Sequence, residues 1–244
     1  MQNATAQNLE TADTKESGLA TLLQGYRFRV CEDAETFLRA LEVRRQVYVE
    51  DFGYDVPVPD EYDHRSWLLI AEHVETGEII GTMRMTPRAF GAIEAEEYFE
   101  LPNDLDRART IEISRFAIRS AYRKTKTFFP VISVGLFKLC YEFAHALGIE
   151  REVVCSKAER MWTYQSMGFQ STGITAQYEK LKGAEHELLW HDFREAGTWL
   201  AGNPFHELFC DLQFDEIVVP TSVPPLGLIE EPAMPEPFRL AVGA

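Results

Sequence analysis

RTIEISRFAIRSAYRKTK, residues Arg109 to Lys126, is the stretch whose reading organises the rest of the chain. Its first part alternates Ile111 and Ile113 with Glu112 and Ser114, then runs Phe116-Ala117-Ile118. That is the pattern of a largely buried strand. Strict alternation puts Glu112 and Ser114 on one face and Ile113 and Arg115 on the other. A carboxylate and a hydroxyl inside an otherwise apolar strand are costly to bury unless something satisfies or uses them. Directly behind comes a basic run, Arg115, Arg119, Arg123, Lys124 and Lys126, with no acidic residue in it. In a chain with 39 Asp and Glu against 24 Lys and Arg, net charge -15, that reversal of sign is the clearest functional hint.

The overall acidity argues against general nucleic-acid binding, because phosphates would be repelled over most of the surface. An acidic partner must therefore dock on a local basic patch. With 244 residues, 45% hydrophobic and 12% aromatic, the chain can bury a core of ordinary size. No apolar run is long enough to span a membrane, and the N-terminus has no secretory pattern. Cys31, Cys140, Cys155 and Cys210 are scattered without metal or disulfide spacing, which fits reduced thiols in a cytoplasm.

Residues 1–25 are small and polar and read as an N-terminal arm. Tyr26 to Glu32 alternates as a first strand, and Asp33 is placed to cap a helix reaching about Glu50. Trp67 to Ala71 and Ile79 to Thr86 flank a turn at Glu75-Thr76-Gly77-Glu78 and form a hairpin. Ala89 to Asp106 is an acidic connector into the central strand. Val131 to Leu147 is an apolar helix with Gly148 as its stop. Arg151 to Ser156 is a strand, Ala158 to Met167 a helix stopped by Gly168, and strands from Phe169 and over His186 to Phe193 follow. Beyond Asn203 the pattern weakens, so residues 203–244 read as an extension, Pro-rich from about Val219. The expected unit is one mixed α/β domain over residues 26–202.

That order, together with Tyr164-Gln165-Ser166-Met167-Gly168-Phe169, resembles the GNAT acyltransferase superfamily, where a helix ending in Tyr-x-x-x-Gly-Phe follows the strand beside the acyl thioester. Upstream, Arg44, Tyr48, Tyr54, Glu61, Asp63, Gly81-Thr82-Met83-Arg84, Tyr98-Phe99 and Glu112-Ile113-Ser114-Arg115-Phe116 succeed one another. This succession resembles the autoinducer (N-acyl-homoserine-lactone) synthases and their relatives, the long-chain N-acyl amino acid synthases. The resemblance implies a GNAT-type mixed, mostly antiparallel central sheet flanked by helices. It also implies an acyl carrier protein thioester as donor, carrying the acyl group on phosphopantetheine, and an amino acid as acceptor. No bound cofactor or metal is implied. A lipid product would allow transient contact with a membrane surface.

The departures are specific. Tyr54 stands where homoserine-lactone synthases usually carry Trp, and Tyr48 where they usually carry Phe. The Gly-rich pyrophosphate loop of coenzyme-A-using relatives is replaced by Arg119-Ser120-Ala121-Tyr122-Arg123-Lys124, which favours a carrier protein over coenzyme A. The chain also runs past the usual homoserine-lactone synthase length, which favours the acyl amino acid branch. The competing readings are lactone synthesis from S-adenosylmethionine, marked by release of methylthioadenosine, and a GNAT-fold module that binds acyl or carrier without catalysis.

Acyl transfer to an amine needs a base for the ammonium, donors for the carbonyl oxyanion and a proton for the departing thiolate. Glu112 is the candidate base, and the alternative is that it pairs with Arg115, which would require a bulge in the strand. Ser114 can hold the amine or relay a proton, or it can satisfy a nearby backbone group. Tyr164 is the candidate acid, and also an ordinary packing residue. Arg44, Tyr54, Glu61, Asp63, Arg84 and Arg115 form the expected substrate or structural network, with Arg84 beside Glu61 and Asp63. Arg119, Arg123, Lys124 and Lys126 are the expected contacts for the carrier arm, which Arg44 and Arg45 could extend. The apolar helix with Trp162, Phe169 and Trp190 is either plain core or the lining of an acyl tunnel. Two further signals fail: His186 and His191 miss the i, i+4 spacing of a zinc protease helix, and Cys155 lacks a spaced His partner.

Overall fold

The computed structural model describes residues 21, 23–123, 131–203 and 205–228. Lys124 and Lys126 of the basic run lie outside them. Among the described residues eight strands form one sheet: β1 (Tyr26–Val30), β2 (Trp67–His73), β3 (Glu78–Pro87), β4 (Thr110–Ile118), β5 (Arg151–Lys157), β6 (Gln170–Tyr178), β7 (Ala184–Asp192) and β8 (Ile217–Val218). Their order across the sheet is β6-β7-β5-β4-β3-β2-β1-β8. Only β4 with β5 and β1 with β8 run parallel; the other neighbours are antiparallel. The fold is thus the mixed α/β unit that the pattern predicts, with the mostly antiparallel sheet flanked by helices that the resemblance implies.

Helix α1 (Ala34–Arg45) begins where Asp33 accepts the Thr36 amide at 2.7 Å, and it runs into a wider π-helical turn over Gln46–Asp51. It covers one face of the sheet through Phe37, Leu41 and Val43 against Leu68, Ile70 and Ala117. After the short α2 (Ser120–Arg123), α3 (Val131–Ala146) covers the other face. There Leu136, Leu139 and Phe143 pack on Phe28, Trp67 and Leu69. Gly135 permits that approach, since a Cβ there would come within 2.2 Å of the Phe28 ring. Helix α4 (Met161–Ser166) ends before Gly168, whose φ of +95° a side chain would strain.

Strand β8 follows from the C-terminal part. Leu208, Phe209, Phe214 and Ile217 join the same core as α3, and Ile217 and Val218 pair beside Phe28 and Arg29. Further on, the Trp67 indole donates to the Pro224 carbonyl at 3.0 Å. The strand expected over His186 to Phe193 is β7, which inserts between β5 and β6, and the far edge is closed by β8. The pattern misses β8 because two residues are too few to show a period.

What positions the site is the parting of β4 and β5. Their register holds from Thr110↔Arg151 to Glu112↔Val153 and then stops, although β4 continues to Ile118 and β5 to Lys157. On its other side β4 stays paired to β3, and β5 stays paired to β7 as far as Lys157↔His186. The cause lies in β4: Arg115 has φ +51°, and the β3–β4 register shifts between Thr82 and Arg84. One extra residue in β4 bends the strand away from β5.

Candidate active site

A cleft of about 510 Å³ opens where the two strands part. Sites for small ligands fall in the range of roughly 300–1,000 Å³. Its two sides differ. Alternation along β5 sends Val153 and Cys155 toward Tyr178, Leu188 and Ile93, and sends Val154 toward Phe137 and Phe169. The first side carries Glu112, Glu94, Tyr48, Tyr54, Lys157 and His186; the second carries Met83, Ile113, Phe116, Phe137 and Tyr164.

Glu112 sits at the apex, opposite Val153, and is 2% exposed. Its carboxylate accepts the backbone N–H of Glu94 at 2.9 Å and of Ala95 at 3.1 Å, so the acidic connector is folded onto it. Burial, with the negative charge of Glu94 beside it, raises its pKa from 4.5 to about 8, against the pull of Arg84 and Arg115. It does not pair with Arg115. The bulge does form, but it turns the Arg115 side chain to Glu94 at 2.7 Å and Asp60 at 3.0 Å. Strict alternation at Arg115 is thereby overturned.

Behind the apex lies a buried ionic network. Arg84 is fully buried and touches Asp60, Glu94 at 2.6 Å and Asp63 at 3.6 Å. Arg44, also fully buried, donates to both oxygens of Asp63 at 2.6 and 2.8 Å. Ser114 Oγ accepts from Arg84 Nε at 3.0 Å, so its oxygen serves a guanidinium rather than the backbone. Two corrections follow. Glu61 is exposed and stands outside the network, where Asp60 and Glu94 take the place expected for it. Arg44 is not part of any surface patch, and Arg45 is exposed and paired with Glu42 and Glu50 at 2.5 and 2.6 Å.

Three guanidiniums here, Arg44, Arg84 and Arg115, pair with three carboxylates, Asp60, Asp63 and Glu94, and a fourth, Glu112, stands beside them. Burial alone would raise Asp60, but Arg84, Arg115 and Arg44 overcome it and hold Asp60 well below the usual carboxylate range. Glu112 is the carboxylate left without a guanidinium in contact, so burial and the charge of Glu94 prevail and its pKa goes up.

Tyr164 lines the apolar side, edge-on to Phe137 at 5.8 Å and to Phe169 at 5.5 Å. Burial, with Tyr48 nearby, raises its pKa, so it stays a proton donor through the physiological range. Tyr54 meets Tyr48 at 6.0 Å and receives a hydrogen bond from Lys157 Nζ at 2.9 Å. Tyr98, from the connector, stacks on Tyr178 at 3.9 Å. Of the basic run, Arg123 reaches the cleft but is paired with Asp51 and lies over the Phe52 ring at 4.7 Å. Arg119 is bound to the Ile79 carbonyl at 2.9 Å and Glu78 at 3.2 Å, away from the cleft lining. Trp162 lines the cleft, whereas Phe169 is core and Trp190 borders a smaller hollow.

The remaining sequence signals resolve by strand geometry. His186 and His191 are five apart on β7 and so point to opposite faces: His186 to the cleft, His191 to Glu152 at 3.1 Å. Cys155 lines the cleft, but burial and the charge of Glu112 push its thiol pKa well up, so it is no ready nucleophile. Lys157, Asp60 and Glu94 were missed by sequence reading. Asp60 and Glu94 carried no periodic signal, and Lys157 ends a strand whose alternation could have placed it on the side of Glu112.

A mixed sheet parted between parallel β4 and β5, with a buried carboxylate at the apex and Tyr164 on the facing helix, is the GNAT-like acyltransferase architecture. The model of the N-acyl amino acid synthase FeeM family matches residues 39–192, more than half of the chain, and the chain belongs to that family. It is an N-acyltransferase. Among solved structures it resembles FeeM, an N-acyl amino acid synthase from uncultured soil microbes, with 18% identity over 72% of this chain and 96% of that one, TM-score 0.58. It also resembles the acyl-homoserine-lactone synthase LasI, with 19% identity over 73% and 94%, TM-score 0.55. A third is MesI, a CoA-dependent acyl-homoserine-lactone synthase, with 18% identity over 71% and 92%, TM-score 0.54. At these identities the likeness is one of fold. No curated protein matches the sequence. Among the described residues no helix is long and apolar enough to cross a membrane.

Proposed function

We propose that the chain transfers a long-chain fatty acyl group from an acyl carrier protein thioester to the amine of an amino acid. The observation that carries this reading is the apex of the cleft: a carboxylate with a pKa raised to about 8, placed where two parallel strands part beside an apolar wall. Beyond Glu112 the backbone of β4 is no longer paired to β5, and an extended thioester arm can enter between the strands, although the Phe116 carbonyl accepts from the Tyr48 hydroxyl at 3.2 Å and the Ile118 carbonyl from Arg123 Nε at 2.5 Å. The apolar wall of Met83, Ile113, Phe116 and Phe137 suits the acyl chain.

In the proposed reaction Glu112, directly or through a water, takes one proton from the acceptor ammonium. The amine nitrogen then bonds to the thioester carbonyl carbon, and the carbon–sulfur bond breaks as the tetrahedral oxyanion collapses. Tyr164 gives its proton to the departing thiolate and recovers one, through water, from the nitrogen, which thereby loses its second proton; Glu112 later releases the first to solvent. Lys124 and Lys126 supply charge for the phosphopantetheine phosphate and the acidic carrier surface, while Arg123 is held by Asp51 at the cleft. The test is to incubate purified protein with acyl carrier protein thioesters of several chain lengths and the standard amino acids, then seek acylated products by mass spectrometry. N-acyl amino acids support the reading; no product at any chain length overturns it, and methylthioadenosine release with S-adenosylmethionine would replace it.

A further inference from the structure

We infer that Lys157 is the carboxylate site of the acceptor: its ammonium holds the amino acid's carboxylate while Glu112 faces the amine. This rests on the amino-acid reading above and names the group that selects the acceptor. Lys157 stands at the outer end of β5 and lines the cleft. Among the described residues no carboxylate lies within 4.0 Å of its ammonium; of the other cations lining the cleft, Arg115 and Arg123 are spent on Glu94, Asp60 and Asp51, and Arg160 stands past the end of β5, next in the chain to Glu159, which lines the cleft as well. The Lys157 ammonium is instead held by a neutral group, the Tyr54 hydroxyl at 2.9 Å, with the Tyr54 ring at 5.1 Å. A phenol fixes the ammonium without cancelling its charge. Opposite it on β7, His186 is kept neutral by burial, with the Lys157 charge adding to the effect, so His186 supplies no competing cation.

The placement relative to Glu112 follows from register. Glu112 pairs with Val153, and Val153, Cys155 and Lys157 alternate onto one side of β5. Lys157 therefore shares the side of Glu112, four residues or about 13 Å of strand beyond it. A glutamate side chain, an amino acid and a lysine side chain laid end to end span that distance. The zwitterion has the same polarity as the cleft: ammonium toward the carboxylate at the apex, carboxylate toward the ammonium at the mouth. The donor's phosphate is the other anion that could meet Lys157, and the experiment separates the two.

Steady-state rates are measured with saturating acyl carrier protein thioester and a panel of L-amino acids, each against its own carboxamide. The amine of the amide is the less basic of each pair, so a preference for the acid reports carboxylate recognition. Wild type is expected to favour the acid. Lys157→Met should raise the acceptor KM about 10- to 100-fold, the worth of one charge-assisted hydrogen bond, and bring the acid-to-amide ratio toward one. Lys157→Arg should restore most of the preference, and Tyr54→Phe, which frees the ammonium but keeps it, should lose less. A rise in donor KM with an unchanged acid-to-amide ratio would make Lys157 a phosphate contact and overturn the inference. Equal use of acids and amides by wild type would also overturn it while leaving amine acylation standing, and no acylation of either would remove the amino-acid reading itself. The wild-type comparison and Tyr54→Phe decide the matter even where Lys157→Met does not fold.

Discussion

Two sets of charges around β4 are handled in opposite ways. In the buried network, Arg44, Arg84 and Arg115 are each in contact with Asp63, Asp60 or Glu94, and almost every charge is cancelled at hydrogen-bond distance. In the cleft, Glu112 and Lys157 have only neutral donors and acceptors in contact. Paired buried charges hold a geometry and have little left to offer a ligand. Charges satisfied by neutral groups keep a protonation state or a field that a substrate can use. The bulge at Arg115 joins the two regions, since the residue that bends β4 open toward the cleft is anchored in the network.

The largest effect should come from breaking the paired side. Arg84→Met leaves Asp60 and Glu94 buried without their main partner, and removal of one member of such a network costs about 3–5 kcal/mol. Chemical denaturation of the variant against wild type should show that loss. A stability within error of wild type would mean that the network is not a scaffold.

Next is Glu112→Gln on the open side. The amide can still accept one of the two backbone N–H groups, so the fold should survive, while kcat should fall by about 10²- to 10⁴-fold as a general base is lost. If the fall in rate merely tracks a fall in stability, the distinction between the two sides collapses. The same residue sets a pH dependence. Its base form predominates only above about 8, so kcat/KM should rise with pH through that value and then level off, and the rise should vanish in Glu112→Gln. Stability carries the opposite slope. Because the folded pKa lies above 4.5, the contribution of Glu112 is full below that pH and is lost as pH rises through about 8. Asp60, held low by Arg84 and Arg115, has the reverse sign, and its contribution is lost only in acid. Tyr164→Phe should do less than Glu112→Gln, near 10²-fold, because a thiolate is a weak enough base to leave without full protonation.

The sequence displayed the sheet better than the site. Alternation through Ile111 to Ile118, the cap at Asp33 and the stops at Gly148 and Gly168 are local signals that mark local structure, and they placed Glu112 and Tyr164 on the right elements. The parting of β4 and β5 depends on a positive φ at Arg115, a residue with no local reason to adopt one. That conformation is imposed by the pull of Asp60 and Glu94, which are 55 and 21 residues away in the chain. Glu94 lies in an acidic connector that looks like solvated surface, and its burial is a tertiary fact without a periodic signature. The family resemblance supplied the charged motif, but one position slipped, since within Asp60-Glu61-Tyr62-Asp63 the choice of buried carboxylate depends on a tight turn.

That slip gives the smallest and cleanest test of the contrast. Asp60 and Glu61 are adjacent and chemically alike, yet Asp60 faces Arg84 and Arg115 while Glu61 faces solvent. The Asp63 carboxylate accepts the Asp60 amide at 2.7 Å, and Asp60 in turn accepts the Tyr62 amide at 3.0 Å. The turn therefore fixes which of the two carboxylates points inward. Asp60→Asn should cost several-fold more stability than Glu61→Gln, which as a surface change should stay within about 0.5 kcal/mol of wild type. It should also leave kcat/KM and its pH profile alone. If instead Glu61→Gln lowers activity at unchanged stability, Glu61 contacts the substrate in the working enzyme, and the boundary between the paired and the open charges must be redrawn to include this turn.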